Sequence, residues 1–162
     1  MKMSASIGPS TPVPMRTLGN ILWHIPFLGF IDALIAFLLG MLLTVTVVAA
    51  PIGLGLIQFS KFLLLPYSQE MVTKSDLQEK TNLLWGTWSL LVRILYFPIG
   101  LIAALIVLVK IVGLCISIVG IPVAIVLAKG LGTFFNPVGK ICVPISVAEE
   151  AERRRARARF GA

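Results

Sequence analysis

The sequence predicts an all-α membrane protein made of two repeated helical hairpins. Of the 162 residues, 57% are hydrophobic and 13% are charged, whereas soluble domains carry about 25% charged residues. The apolar residues come in runs, and residues 33–57 contain no ionisable side chain. Such a run exceeds the ~20 residues that cross a bilayer as a helix. These observations predict an integral membrane protein.

An internal repeat predicts the hairpin arrangement. Residues 44–72 align with residues 115–143 without a gap. A repeat of this kind indicates a duplicated structural unit. Two prolines recur at the same positions in both copies: Pro51 matches Pro122, and Pro66 matches Pro137. Because proline is tolerated in the first turn of a helix and breaks its interior, these prolines predict where helices begin and end.

Each hairpin is predicted to combine a long spanning helix with a short helix bounded by prolines. The long helices extend from about Pro26 to Ala50 and from about Pro98 to Ile121, so each is long enough to span a bilayer. The short helices lie between the two prolines of each copy. They therefore cover only about 22 Å, at about 1.5 Å per residue.

Five segments follow from this pattern. They are a disordered cytoplasmic arm at 1–17, a first membrane hairpin at 18–66, a polar connector at 67–81, a second membrane hairpin at 82–145 and a basic amphipathic tail at 146–162. The tail is expected to form a cytoplasmic C-terminal helix. The polar, proline-rich start is not typical of a secretory signal, so the first span is expected to remain in the mature protein.

Two membrane topologies fit the hairpins. If the short helices cross back over the bilayer, the chain has four spans, and the connector and both termini are cytoplasmic. If the short helices dip in and return, the connector lies outside and the repeats are inverted, as in many transporters. Lysine and arginine near both chain ends predict cytoplasmic termini under either model. We favour the four-span model.

Three lysines fall within or beside the apolar segments, where ionisable residues by default mark function. Lys61 and Lys129 lie in the short helices, and Lys110 lies in the second long helix. Basic side chains that face a water-filled path favour anions, so these lysines are candidates for lining a pore. The alternative is that their ammonium groups only extend to the cytoplasmic headgroups.

Four uncharged polar residues complete the pore-lining candidates: Gln58, Thr44, Thr46 and Ser117. Gln58 occupies the same position of the repeat as Lys129. The hydroxyls precede the prolines on the long helices. In membranes such hydroxyls usually bond back to a carbonyl one turn earlier, or bond to a neighbouring helix. The glycines of both hairpins allow helices to approach closely, which favours assembly of several copies.

The C-terminal tail has a sharp local pattern. Ser146 followed by Glu149 is a capping-box pattern, and acidic residues precede basic ones, as the helix dipole prefers. Five arginines are expected to contact anionic lipid headgroups, at about 1 kcal/mol each; they are Arg153, Arg154, Arg155, Arg157 and Arg159. No nucleic-acid-binding motif accompanies this charge, so nucleic acid is not expected as a partner.

Catalysis, metal binding and cofactor binding find no support in the sequence. His24 is the only histidine, and no second aspartate stands near Asp32. A histidine-based triad, an aspartyl pair and a metal site therefore each lack parts. Cys115 and Cys142 match no zinc pattern or disulfide framework. We expect no enzymatic activity, no catalytic residues, no metal and no cofactor.

Three motifs resemble the YccF inner membrane component family. They are Asn20-Ile21-Leu22-Trp23, Lys61 with Pro66-Tyr67-x-x-Glu70, and Cys115-Ile116-Ser117-Ile118-Val119-Gly120-Ile121-Pro122-Val123 followed by Pro137-Val138-Gly139. The resemblance covers about residues 18–145. It implies a small protein of the bacterial inner membrane with two tandem copies of the domain, and no known activity. The second copy departs from the family pattern where Leu91-Val92-Arg93-Ile94 replaces the first of these motifs.

Two functions are compatible with this sequence. The leading hypothesis is a multi-pass, homo-oligomeric inner-membrane protein that forms an ion permeation pathway preferring anions. Short helices are difficult for lipid to surround, so several copies are expected to cluster around an axis. The alternative is a non-conducting membrane module that anchors or organises a partner protein or anionic lipid at the cytoplasmic face.

Overall fold

The computed structural model describes residues 13–25, 28–77 and 82–161. These residues form mostly helix. The elements in chain order are α1 (Val13–His24), α2 (Gly29–Val45), α3 (Ala50–Leu64), β1 (Gln69–Thr73), α4 (Leu83–Ile116), α5 (Ile121–Phe135), β2 (Lys140–Pro144) and α6 (Ile145–Phe160). The predicted disordered arm lies outside the described residues up to residue 12. For its last part, 13–17, the prediction is wrong, because these residues belong to α1.

The two prolines predicted to open the short helices do so. Pro51 lies in the first turn of α3, and Pro122 lies in the first turn of α5. Proline suits this position because its fixed φ is helical and its missing N–H would have no partner there. Each short helix contains 15 residues, so the predicted length is also confirmed.

The predicted starts of the long helices are wrong. α2 begins at Gly29 and has 17 residues, whereas α4 has 34 residues and continues through Pro98. Of the described helices, α4 alone is long and apolar enough to cross a membrane by itself, and α1 with α2 passes the same test as a pair bent by 76°. Proline is tolerated inside such a helix when its surroundings satisfy the freed carbonyl.

The all-α prediction missed a two-stranded sheet. β1 and β2 pair in antiparallel orientation, and Met71 lies opposite Cys142. β1 falls in the segment predicted to be a polar connector, and β2 follows the second short helix after a turn. Neither segment of five residues indicates a strand by itself, because a short strand needs a partner to satisfy its backbone groups.

Glycines allow neighbouring helices of the same chain to touch. α2 packs along α3, and α4 packs along α5. A side chain at Gly53 would collide with the hydroxyl of Thr44 and lie 2.6 Å from the carbonyl oxygen of Gly40. A side chain at Gly100 would collide with the carbonyl of Phe135. These glycines are therefore used for packing inside one chain, whereas the sequence favoured their use between copies.

The core is centred on α3. A cluster of buried apolar side chains contains Trp23, Phe59, Phe62, Leu63 and Val126, and Phe62 is fully buried. The ring of Phe59 stacks on Phe62 with 5.7 Å between centroids. The chain itself thus shields much of this short helix from lipid.

The outer surfaces of α2 and α4 are apolar and exposed. Within the most hydrophobic 18-residue stretch of α4, only 11% is buried inside the protein. Large exposed apolar surfaces of this kind mark contact with a membrane or with another protein. α4 therefore presents its length to lipid or to a second copy.

We predict opposite effects of adding a methyl group at two helical glycines. Gly53→Ala should lower the free energy of unfolding by about 1–3 kcal/mol, because the methyl group collides with α2. Gly113→Ala is the matched control; nothing lies within 4 Å of the added carbon, so better helix propensity should leave stability unchanged or raise it by up to about 1 kcal/mol. Unfolding in detergent mixtures measures both, and equal effects would contradict the close contact between α2 and α3.

We also predict that Met71→Cys forms a disulfide with Cys142 when Cys115 is replaced by serine. Side chains directly opposite one another in an antiparallel pair have Cβ atoms about 5 Å apart, which is close to disulfide geometry. Copper-catalysed oxidation followed by peptide mass mapping detects the bond. Phe160→Cys, at the far end of α6, is the control and should not cross-link, whereas equal cross-linking of both variants would contradict the strand pairing.

Candidate functional site

Helix α1 closes the C-terminal end of α3. The indole Nε1 of Trp23 donates a hydrogen bond of 2.8 Å to the carbonyl of Leu63, and Nε2 of His24 lies 2.7 Å from the carbonyl of Leu64. The last carbonyls of a helix have no partner within it, so these two side chains supply what the end of α3 lacks. Trp23 is only 2% exposed. The tryptophan of the first motif therefore serves both as a core side chain and as a hydrogen-bond donor to the end of α3.

Asn20, from the same motif, fixes the chain that leaves α3. Its Oδ1 accepts a hydrogen bond of 3.0 Å from the N–H of Tyr67, and its Nδ2 donates one of 3.0 Å to the hydroxyl of Ser68. The hydroxyl of Tyr67 in turn donates to the carbonyl of Pro122, at 2.8 Å. The motif thus ties α1, the exit of α3 and the start of α5 together.

Gln58 and Lys129 each contact a segment that leads into the sheet. Nζ of Lys129 lies 3.5 Å from the carbonyl oxygen of Pro66, before β1. Oε1 of Gln58 accepts a hydrogen bond of 3.4 Å from the N–H of Cys142, in β2. Both residues therefore lie beside the sheet, and their predicted equivalence stays a prediction because they contact different positions of the repeat.

Cys142 is a partly buried thiol with a structural contact. It donates to Oε1 of Gln69 across the sheet at 2.6 Å. Burial raises the pKa of this thiol to about 11, and the nearby charge of Lys61 opposes the rise. The thiol therefore stays protonated near neutral pH, as its donor role requires. Lys61 itself is exposed.

The three predicted lysines act on different groups. Lys61 and Lys129 lie close to the sheet, whereas the charge of Lys110, in α4, acts on the carboxylate of Asp32. Asp32 stands in the first turn of α2, where the sequence predicted it to complement the helix dipole. An acidic neighbour weakens the field that Lys110 would offer to an anion.

The predicted hydroxyl ligands are engaged locally. The hydroxyl of Thr44 donates to the carbonyl of Gly40 at 2.7 Å, and that of Thr46 donates to the carbonyl of Leu43 at 2.6 Å. The prediction that these hydroxyls bond back to the preceding turn is thus confirmed for both threonines. Ser117 ends α4 and is exposed.

Helix α6 forms as predicted but begins differently. Pro144 occupies the N-cap position, and no side chain caps the helix. The capping-box prediction is therefore wrong, because Ser146 already lies inside the first turn. Arg154 pairs with Glu150 at 3.2 Å, and both side chains remain more than half exposed. The predicted lipid-contact arginines all lie on exposed positions: Arg153, Arg154, Arg155, Arg157 and Arg159.

A basic cleft, which the sequence did not predict, lies between the sheet, the start of α3 and the first turns of α4. Its volume is about 430 Å³. Its basic lining residues are Lys74, Arg93 and Lys140. No local pattern indicates the cleft, because Arg93 and Lys140 are far apart in the chain and meet only when β2 packs beside α4.

The geometry of the cleft holds two of these cations together. Nη2 of Arg93 donates a hydrogen bond of 3.1 Å to the carbonyl of Val138. Burial, together with the neighbouring charge of Arg93, lowers the pKa of the Lys140 ammonium. In the part of the chain that the structure describes, no group of histidine, cysteine and acidic residues could hold a metal ion.

These features define a helical membrane protein with a polar, basic layer around a small sheet. We call this layer the ribbon face; it consists of β1, β2, α6 and the basic cleft. Comparison with known proteins identifies the family. The chain matches the model of the YccF family, described as an inner membrane component domain, over residues 18–69.

Two relatives cover nearly the whole chain. The inner membrane protein YccF of Escherichia coli (strain K12) is 30% identical over 149 residues, which is 90% of this chain and 99% of that protein. The YccF protein of Shigella flexneri matches with the same identity and coverage. This chain therefore belongs to the YccF family, as its motifs indicated, and the family is one of the bacterial inner membrane. No solved structure matches it.

The family match and the structure coincide in the first half of the chain. The matched residues contain the end of α1, all of α2 and α3, and the first residue of β1. They include both the residues of the first motif and the residues at the end of α3 that those contact. A second copy of the domain in the remaining chain stays a prediction.

We predict that Trp23→Phe destabilises the fold more than Trp88→Phe. The change at Trp23 leaves the Leu63 carbonyl without its donor, which should lower the free energy of unfolding by about 1–3 kcal/mol. Trp88 is 37% exposed, so its replacement should have little effect. Thermal unfolding of the purified variants in detergent measures the difference, and two equal midpoints would contradict the capping role.

Proposed function

We propose that this protein is a non-conducting membrane module whose ribbon face organises anionic lipid headgroups at the cytoplasmic surface. The observation that carries the proposal is the separation of charge from apolar surface. α2 and α4 expose large apolar side chains, whereas the exposed arginines of α6 and the cations of the cleft lie together around the sheet. This arrangement suits a protein whose helices sit in lipid and whose ribbon face meets the headgroups.

The strand pairing supports the topology in which the connector and the tail share one side of the membrane. β1 belongs to the predicted connector, and β2 continues directly into α6. Two strands can pair only if both lie on the same side of the bilayer. The re-entrant alternative would separate them. The basic tail then favours the cytoplasm for both.

A local symmetry supports the predicted duplication. Phe59 lies against Gly130, since a side chain at Gly130 would come within 3.0 Å of the Phe59 ring. Met71 lies opposite Cys142. Each of these pairs joins two residues that occupy equivalent positions of the repeat. Contacts between equivalent residues are expected along a two-fold axis that relates two copies.

An anion-selective pore receives less support from the same contacts. Lys110 acts on an acidic side chain, that of Asp32, and Thr44 and Thr46 use their hydroxyls within α2 or at its end. Several glycines that were expected to pack between copies instead pack against helices of the same chain. Side chains of the same chain also shield much of α3 from lipid. Homo-oligomerisation through the apolar surfaces of α2 and α4 remains a proposal alongside the main one.

We predict that the α6 arginines select anionic lipid. Replacing all five with glutamine should reduce the number of phosphatidylglycerol molecules retained over phosphatidylcholine by at least ten-fold, because each cation near the surface contributes about 1 kcal/mol and about 1.4 kcal/mol already corresponds to ten-fold. Native mass spectrometry of protein released from mixed nanodiscs measures this ratio.

A charge-matched control uses the acidic residues of the same helix. Glu149, Glu150 and Glu152 replaced with glutamine should retain at least as much phosphatidylglycerol as the natural chain. Unchanged lipid ratios in the arginine variant would contradict the proposal. So would a steady chloride flux through the natural protein in liposomes, which would favour the pore.

A further inference from the structure

The basic cleft brings two cations together without a carboxylate among its described lining side chains. Arg93 enters from α4 and Lys140 from the start of β2. Lys140 is partly buried there, and its burial and the neighbouring charge of Arg93 both lower the pKa of its ammonium. Like charges held side by side destabilise each other unless an anion lies between them.

A rigid turn keeps the two cations in place. The N–H of Lys140 donates to the carbonyl of Pro137 at 3.2 Å, and Gly139 has a φ of +74°. A residue with a side chain is strained in this conformation. The turn points the carbonyl of Val138 at Arg93 and sets Lys140 beside it. The backbone thus holds the Arg93 guanidinium through the carbonyl of Val138, and the Lys140 ammonium lies close to Gly132 of α5.

The corresponding place in the first half of the chain is different. At the positions of the repeat equivalent to Arg93 and Lys140 stand Leu22 and Gln69, which are uncharged. There α1 meets α2 at 76°, and Trp23 packs against the end of α3. In the second half α4 is one continuous helix, and its first turns line the cleft. The two converging cations therefore come from the second half, whereas the start of α3 and the end of β1 supply the rest of the lining.

We propose that this cleft binds a phosphate group between the guanidinium of Arg93 and the ammonium of Lys140. Arginine has five N–H donors, and the bond to Val138 uses one of them, so a fork of donors remains for phosphate oxygens. Lysine adds a point charge with three donors. The hydroxyl of Ser89 and the amide of Gln58 also line the cleft.

The size and position of the cleft fit a small phosphate compound. Its volume of about 430 Å³ lies within the range of small-molecule sites. The phosphate belongs either to a phospholipid headgroup or to a free organic phosphate. Binding of a phospholipid headgroup rests on the proposed function, which places the ribbon face at the level of the headgroups. Binding of a free organic phosphate does not depend on that function.

The test measures binding of two probes to delipidated protein in uncharged detergent. The probes are glycerol phosphate and short-chain phosphatidylglycerol, with short-chain phosphatidylcholine as the reference, and isothermal titration gives the affinities. Lys140→Gln should weaken binding of the anionic probe at least ten-fold. Arg93→Lys keeps the charge but loses the fork, so it should weaken binding to a smaller extent.

Two controls separate the cleft from general charge. Lys61→Gln removes an exposed cation outside the cleft and should leave the affinity unchanged. The variant lacking the five α6 arginines should also bind the probe normally, even if its lipid selectivity is lost, so failure of the proposed function is distinguishable from failure of this site.

Each outcome decides the proposal. Binding of glycerol phosphate that depends on Lys140 identifies a site for free organic phosphates, and dependence seen only with phosphatidylglycerol identifies a headgroup site. Absence of binding by both probes overturns the proposal. So does equal affinity of the natural chain and Lys140→Gln, provided that the variant unfolds at the same temperature.

Discussion

The antiparallel pairing of β1 with β2 is the constraint on which the rest of this structure depends. Each strand follows a short apolar helix, and neither could leave its backbone groups unpaired beside a membrane without a large free-energy cost. Pairing satisfies both strands at once. It also places the exits of α3 and α5 at opposite ends of the sheet, gives α6 a surface to pack against, and forms one wall of the basic cleft.

The two copies of the predicted repeat have different local structures around this sheet. Residues 13–24 form α1, which turns back and closes the end of α3 through Trp23 and His24. The equivalent stretch of the predicted repeat is the start of α4, which continues as one helix to Ile116. Burial of Trp23 stabilises the first arrangement, and the equivalent position in the second is Ile94 rather than a tryptophan. Side chains of α1 therefore close the end of α3, whereas the first turns of α4 line the basic cleft.

The contacts also change how the lysines are understood. Their positions in apolar helices suggested a shared path through the membrane. In the folded chain, Lys129 faces a carbonyl beside the sheet, and Lys110 stands near a carboxylate. The cations that do converge are Arg93 and Lys140. Arg93 lies near the start of the predicted second hairpin, and Lys140 lies near its end. A function at the ribbon face thus follows more directly from the fold than a function across the bilayer.

The sequence by itself determined the membrane class, the family, and the two short helices that begin at Pro51 and Pro122, because composition and proline act locally. The sequence also located the motif that contains Trp23, but it did not show that this tryptophan closes the end of α3. Only the tertiary structure decided the sheet, the continuous α4 through Pro98 and the basic cleft. Each strand needs a partner from the other half of the chain, and a proline in a helix is tolerated or not according to its neighbours. Two cations form a site only when packing brings their segments together.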